Sequence, residues 1–442
     1  MVIPLIYQEE TDYLPRTEQI WIKPNDQLSN LCHISKNLYN EANYIIRQEF
    51  IKSYKYTGTG NYLNYNIIDY LIKDKSKNYR LLPAQTAQQV LKILDRNWKS
   101  FFDAIKDWKA NPDKYLGRPK LSGYLKKDGE FVLYFTDQQV RIDSNTGKII
   151  FPKAMYFLRG IKTIIKSTIR ELRIIPKGKK VGYLIDLVYR KEVKKAKNID
   201  KNRIIGLDFG LRNFVTIANN IGIQPMCVKG GVLKSINQFY NKMLAELKTI
   251  YSKQDMLTGP AIQILTNNRN KKIKDVIHKY SRYIIDYCLK WNIGTLVIGY
   301  NPEWKQEINL GKKTNQSFVQ IPFYDFIEMI KYKAEEIGIN VIEQDESHTS
   351  KCSFLDEENI EHHDAYIGKR ISRGLFRSDK GIIINADVQG ALNTIKKAIP
   401  KAFSKENMDR IEGGRQLKLS VGLHPLRINP LIVNRNINIV GD

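Results

Sequence analysis

The stretch Arg203-Ile204-Ile205-Gly206-Leu207-Asp208-Phe209-Gly210-Leu211-Arg212-Asn213-Phe214-Val215-Thr216 decides how the rest of the chain is read. An apolar run ends in a carboxylate, a glycine lets the backbone turn, and a second apolar run returns. This is the pattern of strand, tight turn and strand, with Asp208 at the strand end. A second acid, Asp387, stands in Ile384-Asn385-Ala386-Asp387-Val388-Gln389-Gly390-Ala391-Leu392-Asn393, which reads as the start of a helix. Taken alone, Asp208 also suits a turn, and Asp387 suits the positive end of a helix. Acids drawn together from distant segments of a basic chain point to metal-dependent phosphodiester cleavage.

From Arg203 to about Ala398 the pattern is α/β. Strands are expected over 204–207, 214–218 and 223–228. Two long helices follow, with apolar positions Ile236, Tyr240, Met243, Leu247 and Ile250, then Ile273, Ile277, Tyr280, Ile284 and Cys288. Residues 295–298 read as a buried strand, 323–337 as a helix, 340–344 as a fifth strand and 385–398 as a last helix. Three strands, helix, strand, helix, strand, helix is the order of an RNase H-like fold. Its first, fourth and fifth strands lie side by side and parallel, and their ends meet the last helix at one metal site.

Upstream, a strand is expected to end near Ile20-Trp21-Ile22, and residues 26–108 read as helical. Ala87, Leu91, Leu94, Trp98 and Phe101 recur every three or four residues, with Lys92, Arg96 and Lys99 off that stripe. Residues 115–200 read as β-rich. Turns at Asn145-Thr146-Gly147-Lys148 and Pro176-Lys177-Gly178-Lys179-Lys180 suggest hairpins, and with the N-terminal strand a small barrel.

The 442 residues carry a formal net charge of +25 and are 42% apolar, which describes a folded protein with a polyanionic partner, most often nucleic acid. Cys32, Cys227, Cys288 and Cys352 form no closely spaced pair, so no disulfide framework is expected and a reducing, intracellular setting is. The N-terminus lacks a signal-peptide pattern, and no run of about 18 apolar residues suggests a membrane span.

Gly206-Leu207-Asp208-Phe209-Gly210, Ser347-His348-Thr349-Ser350-Lys351 and the segment around Asp387, with Leu116-Gly117-Arg118-Pro119-Lys120, Leu82-Pro83-Ala84-Gln85-Thr86-Ala87 and Leu94-Asp95-Arg96, resemble the TnpB and Fanzor proteins. Those are RNA-guided endonucleases of transposons, related to type V CRISPR effectors. The resemblance covers about residues 1–400. It implies a multidomain α/β plus β-barrel protein with a barrel wedge, a helical recognition region and an RNase H-like (RuvC) nuclease domain. It also implies a guide RNA, a double-stranded DNA target beside a short flanking motif, and two Mg²⁺ ions as cofactor.

The chain departs from that family twice. The usual second carboxylate follows the fourth strand, where Leu296-Val297-Ile298-Gly299-Tyr300-Asn301 offers Gly299, which cannot bind metal. The neighbouring fifth strand ends in Gln344-Asp345-Glu346-Ser347, about 4.8 Å away. Resemblance to the Fanzor-like subset implies that the acid has moved there: Glu346 first, Asp345 second, Glu303 third. Asp208, Glu346 and Asp387 are then the expected catalytic and Mg²⁺-binding residues. The other departure is the zinc ribbon of many relatives. Here the stretch holds Cys352 with His362 and His363, not the paired spacing of a structural zinc site, so no zinc is expected.

The expected divisions are 1–25 (first wedge strand), 26–108 (helical recognition region), 109–200 (rest of the wedge and linker), 201–346 (nuclease, first part), 347–383 (a degenerate zinc-ribbon-like insert binding target nucleic acid), 384–402 (last nuclease helix) and 403–442 (a loosely structured tail). Arg118, Lys120, Arg269, Lys272, Lys351, Arg370, Arg373 and Arg377 are the expected nucleic-acid contacts, with Lys279 and Arg282 on the same basic face as Arg269. A monomer is favoured, in the nucleus of a eukaryotic or virus-infected host or the cytoplasm of a bacterium. Two alternatives stay open: a nuclease-dead guided repressor, which Gly299 favours, and a guide-free nuclease, which the 200 residues before Asp208 disfavour.

Overall fold

The computed structural model describes residues 13–300 (except 194, 197 and 211), 320–404 and 425–432. The chain divides into two compact units between Glu192 and Val193. Glu303, the third candidate acid, lies outside the described residues.

In the first unit β1 (Tyr13–Ile22) precedes α1 (Asp26–Thr57). The Asn25 side chain accepts from the Leu28 amide at 2.9 Å, a cap worth about 1 kcal/mol, and Gly58 ends α1 at φ +71°. The expected helical region is broken into α2 (Tyr65–Ile72), α3 (Lys77–Arg80) and α4 (Ala84–Ala110). Ala87, Leu91, Leu94 and Trp98 are buried as their spacing required, while Lys92, Arg96 and Lys99 line a polar groove with Asn64 and Tyr65. Trp98 packs against Phe50 and Phe102, and its indole donates to Asn43 Oδ1 at 3.0 Å.

The β-rich part supplies β2 (Leu133–Thr136), the small hairpin β3 (Arg141–Ile142) and β4 (Ile149–Ile150), and the long hairpin β5 (Ile169–Pro176) and β6 (Tyr183–Glu192). The expected turns are where the sequence puts them. The sheet order is β1-β6-β5-β2, antiparallel throughout, and its edges β1 and β2 are not paired to each other. Among the described residues this is an open four-stranded sheet, not the closed barrel expected.

The second unit is a six-stranded sheet with helices on both faces. It comprises β7 (Asp200–Phe209), β8 (Asn213–Asn219), β9 (Met226–Lys229), α5 (Gly231–Ser252), α6 (Pro260–Lys290), β10 (Ile293–Tyr300), α7 (Phe323–Ile337) and β11 (Asn340–Asp345). The insert forms β12 (Lys369–Ser372), β13 (Leu375–Arg377) and β14 (Ile383–Asn385), which runs into α8 (Ala386–Ala398). The sheet order β11-β10-β7-β8-β9-β15 has β7, β10 and β11 adjacent and parallel, as an RNase H-like order requires. The sixth strand, β15 (Leu426–Ile428), pairs parallel with β9, so this part of the expected loose tail is ordered into the sheet.

Alternation along the strands sorts the two faces. Ile205 and Leu207 join Leu296 and Ile298 against α6 and α7. Ile204 and Val297 face Ile395 of α8. Gly206 belongs to that second face: a Cβ there would stand 2.5 Å from the Ala391 carbonyl, so glycine is what lets α8 lie this close.

Candidate active site

The same period of two that puts Ile204 and Gly206 beneath α8 puts Asp208 there as well. Its carboxyl carbon lies 3.6 Å from where a Cβ on Gly390 of α8 would stand. On β10 the sequence Val297, Ile298, Gly299 turns Gly299 to that face, and the register places it opposite Gln344 of β11. Two residues past Gln344 comes Glu346. Its Oε2 lies 3.3 Å from the point where a Gly299 Cβ would be, so Glu346 fills the space that the missing side chain leaves. Asp387 arrives from the other direction, in the first turn of α8, whose N-cap Asn385 accepts from the amides of Asp387 and Val388 at 3.1 Å each. Asn213, just past the turn after Asp208, donates to Asp387 Oδ2 at 2.8 Å and fixes its orientation.

Burial pushes the Asp208 carboxyl well above the usual carboxylate range. The negative charges of Glu346 and Asp387 push it further, against the opposing pull of Arg370. Asp208 thus lies within electrostatic reach of both other acids, and Arg370 only partly offsets them. Among the described residues no three His, Cys, Asp or Glu side chains are close enough to close around an ion. The donor set nevertheless fits Mg²⁺: the oxygens are hard, and a cation would relieve the repulsion that raises Asp208.

Asp345, the other candidate beside Glu346, is turned elsewhere. Its Oδ2 accepts from Lys397 Nζ at 3.0 Å and its Oδ1 from Ser347 Oγ at 2.9 Å. Burial works to raise this carboxyl, but those hydrogen bonds and the Lys397 charge hold it below the ordinary range.

The expected nucleic-acid contacts fall into different settings. Arg269 is spent inside the protein: its guanidinium donates to Asn237 Oδ1 at 2.9 Å and to the Gln320 carbonyl, and lies over the Tyr240 ring. Lys279 pairs with Asp275 at 2.7 Å and Arg282 with Asp286 at 2.8 Å, each four residues away on α6. Lys272 is exposed. In the insert Arg370, Arg373 and Arg377 are exposed, and Arg370 is close enough to act on Asp208. Lys351 lies over the Tyr366 ring at 5.7 Å. In the first unit Arg118 and Lys120 are exposed on a loop, with Arg118 over the Trp108 ring at 6.0 Å. In the expected degenerate ribbon, Cys352 is buried and its thiol donates to the Glu361 carbonyl at 3.6 Å. The sequence reading missed Asn213; its signal was an amide beside the turn that follows Asp208.

Two family models match the chain: a probable transposase, OrfB_IS605, over residues 186–305, and the Cas12f1-like TNB domain over 323–394. The chain is 24% identical to the TnpB-like protein ORF457 of Acidianus two-tailed virus, over 87% of each chain. It is 25% identical to the CRISPR-associated endodeoxyribonuclease Cas12f1 of Sulfoacidibacillus thermotolerans, over 76% of this chain and 80% of that one. A solved Cas12f1–sgRNA–target DNA complex aligns with 86% of this chain and 98% of the Cas12f1 chain at 15% identity and a TM-score of 0.45, too low to carry an argument. The two family models cover the segments that carry Asp208, Glu346 and Asp387, and the two relatives align with 87% and 76% of the chain, so the chain is similar to the TnpB-like and Cas12f1 proteins along most of its length.

Proposed function

We propose that this protein is an RNA-guided DNA endonuclease with a RuvC-type site of Asp208, Glu346 and Asp387. The observation that carries the reading is the filling of the Gly299 position by the Glu346 carboxylate. A chain that had simply lost its second acid would have no reason to bring a replacement to the same point. This favours an active nuclease over a guided repressor.

Two Mg²⁺ ions held by the three carboxylates would activate water and stabilise the leaving oxygen. Asp208 is the central ligand, since it faces both other acids. Asn213 keeps one Asp387 oxygen engaged and so turns the carboxylate toward the site. Arg370, beside Asp208 on an exposed strand, is placed to take a scissile-strand phosphate. Arg373, Arg377 and Lys351 extend that basic surface over the insert, and Lys272, Arg118 and Lys120 serve guide RNA or DNA backbone elsewhere. Sequence is read by the guide, while the protein holds phosphates. The sheet and helices of the first unit take the part of wedge and recognition region. No helix among the described residues is long and apolar enough to cross a membrane.

The test is cleavage of a double-stranded target by the protein with its guide RNA and Mg²⁺, alongside Asp208→Ala and Glu346→Ala. Cutting by wild type, with both variants silent yet still bound to target, is the expected result. Guided binding without cutting by wild type would make the protein a repressor instead.

A further inference from the structure

Glu346 differs from its two partners in what holds it. It lies one residue beyond β11, in a turn where Thr349 returns to it: the Thr349 amide and hydroxyl both donate to the Glu346 carbonyl, at 3.1 and 2.8 Å. His348, inside this turn, has φ +67°, a left-handed conformation uncommon for a residue with a Cβ.

The turn is bonded to one face of α8. Gln389, Asn393 and Lys397 are spaced four apart and form a polar stripe along one side of the helix. Asn393 Nδ2 donates to the carbonyls of Thr349 at 2.8 Å and Cys352 at 2.7 Å. Gln389 Nε2 also donates to the Cys352 carbonyl, at 3.2 Å. Lys397 Nζ donates to Asp345 Oδ2 and to the Ser347 carbonyl, each at 3.0 Å. The bonds therefore grip the residues on both sides of Glu346. Gln389 and Asn393 are fully buried, and their side-chain oxygens have no partner among the described residues. Burying an unsatisfied acceptor is costly, so these amides serve through their N–H groups.

We propose that the stripe Gln389–Asn393–Lys397 is the positioning device of the relocated acid. By clamping the 345–352 turn to the helix that carries Asp387, it sets where the Glu346 carboxylate stands relative to Asp208 and Asp387. This rests on the reading of Glu346 as a site acid. An acid at a strand end is placed by the sheet itself. An acid moved onto a turn needs tethers, and α8 supplies them from the rod that already holds a second ligand.

The test uses the full-length protein with its guide RNA. Mn²⁺ binding is followed by electron paramagnetic resonance, beside kcat and KM for target cleavage, in Asn393→Asp, Lys397→Met and Lys397→Arg, and in the first two combined with Glu346→Ala. Asn393→Asp and Lys397→Met should weaken Mn²⁺ binding and lower kcat about 10–100-fold, as loss of outer-sphere support does, with KM for DNA unchanged. Lys397→Arg should recover most of the loss, because a guanidinium can still bond both the carboxylate and the carbonyl. In the Glu346→Ala background the same substitutions should change Mn²⁺ binding no further. The half-exposed Asp345–Lys397 pair keeps this falsifiable should Asn393→Asp fail to fold. Wild-type metal binding and kcat in Lys397→Met, with Glu346→Ala silent, would overturn the clamp alone, as would losses that multiply with Glu346→Ala. Undiminished cutting by Glu346→Ala would bring down the site reading and the clamp with it.

Discussion

The two aspartates and the glutamate of the proposed site are held by different kinds of structure. Asp208 ends a central strand and Asp387 opens a capped helix, so both positions follow from local periodicity and one cap. Glu346 stands on a turn whose shape depends on side chains more than forty residues later. On the proposed reading, the difference teaches that an acid can leave a strand end and still reach the site, provided a neighbouring rigid element takes over the task of placing it.

The sharpest way to break this comparison is to remove an acid from each region. Asp208→Ala and Glu346→Ala should each lower guided cleavage roughly a thousandfold, the several kcal/mol that a metal-held transition state loses with a ligand, while guided binding persists in a gel-shift assay. If only Asp208→Ala is silent, the turn carries no ligand. A subtler experiment returns the acid to the strand. Gly299→Asp in the Glu346→Ala background should recover a measurable part of the cleavage, since the Glu346 oxygen 3.3 Å from the new Cβ is then gone. Only part is expected, because the Leu207 carbonyl is also 3.3 Å away and cannot step aside. Gly299→Asp alone should cut more slowly than wild type, having a fourth carboxylate in a site already short of positive charge. Smaller again is Asp345→Asn, which keeps the turn and changes only the Lys397 partner. A drop of more than about a hundredfold in kcat would mean that the first acid of the pair is a ligand after all, beyond the range typical of outer-sphere support.

The smallest effect lies outside both regions and serves as a control. Burial, then the charges of Lys333 and Lys274, push His278 down to about 4, against the opposing pull of Asp275. The unfolded chain, with a histidine near its ordinary value of about 6.5, then binds a proton that the folded protein refuses. Stability should therefore fall as pH drops from about 6.5 toward 4, and His278→Gln should flatten that limb of a melting-temperature profile without touching cleavage.

The nuclease sheet was legible because its strands are short apolar runs and its helices strongly periodic. Asp208 and Asp387 were legible because each sits at an element end. Glu346 was ranked ahead of Asp345 by resemblance alone, since two adjacent acids look alike in sequence; the physical difference between them, Lys397 claiming Asp345, is visible only in the structure. Closure of the first sheet was not legible: four good strands do not reveal whether the outer two meet. The basic face of α6 is partly neutralised, for a reason the sequence did contain. Asp275 stands four residues before Lys279 and Asp286 four after Arg282, the spacing at which helical ion pairs form. The insert arginines have no such acids at that spacing on a helix, and they remain exposed.

The pairing of β15 with β9 has a consequence for how the protein is made. Its partners, Met226 to Val228 and Leu426 to Ile428, are about two hundred positions apart. At typical translation rates of roughly 5–20 residues per second, β9 waits some ten to forty seconds as an open sheet edge before β15 exists. Open edges recruit other strands, so this interval is the vulnerable one in biogenesis. A chain cut after Ser404 would prolong it indefinitely. Such a chain should associate in a concentration-dependent way by light scattering, and a full-length yield no better than that of the shortened chain would show that the edge is harmless.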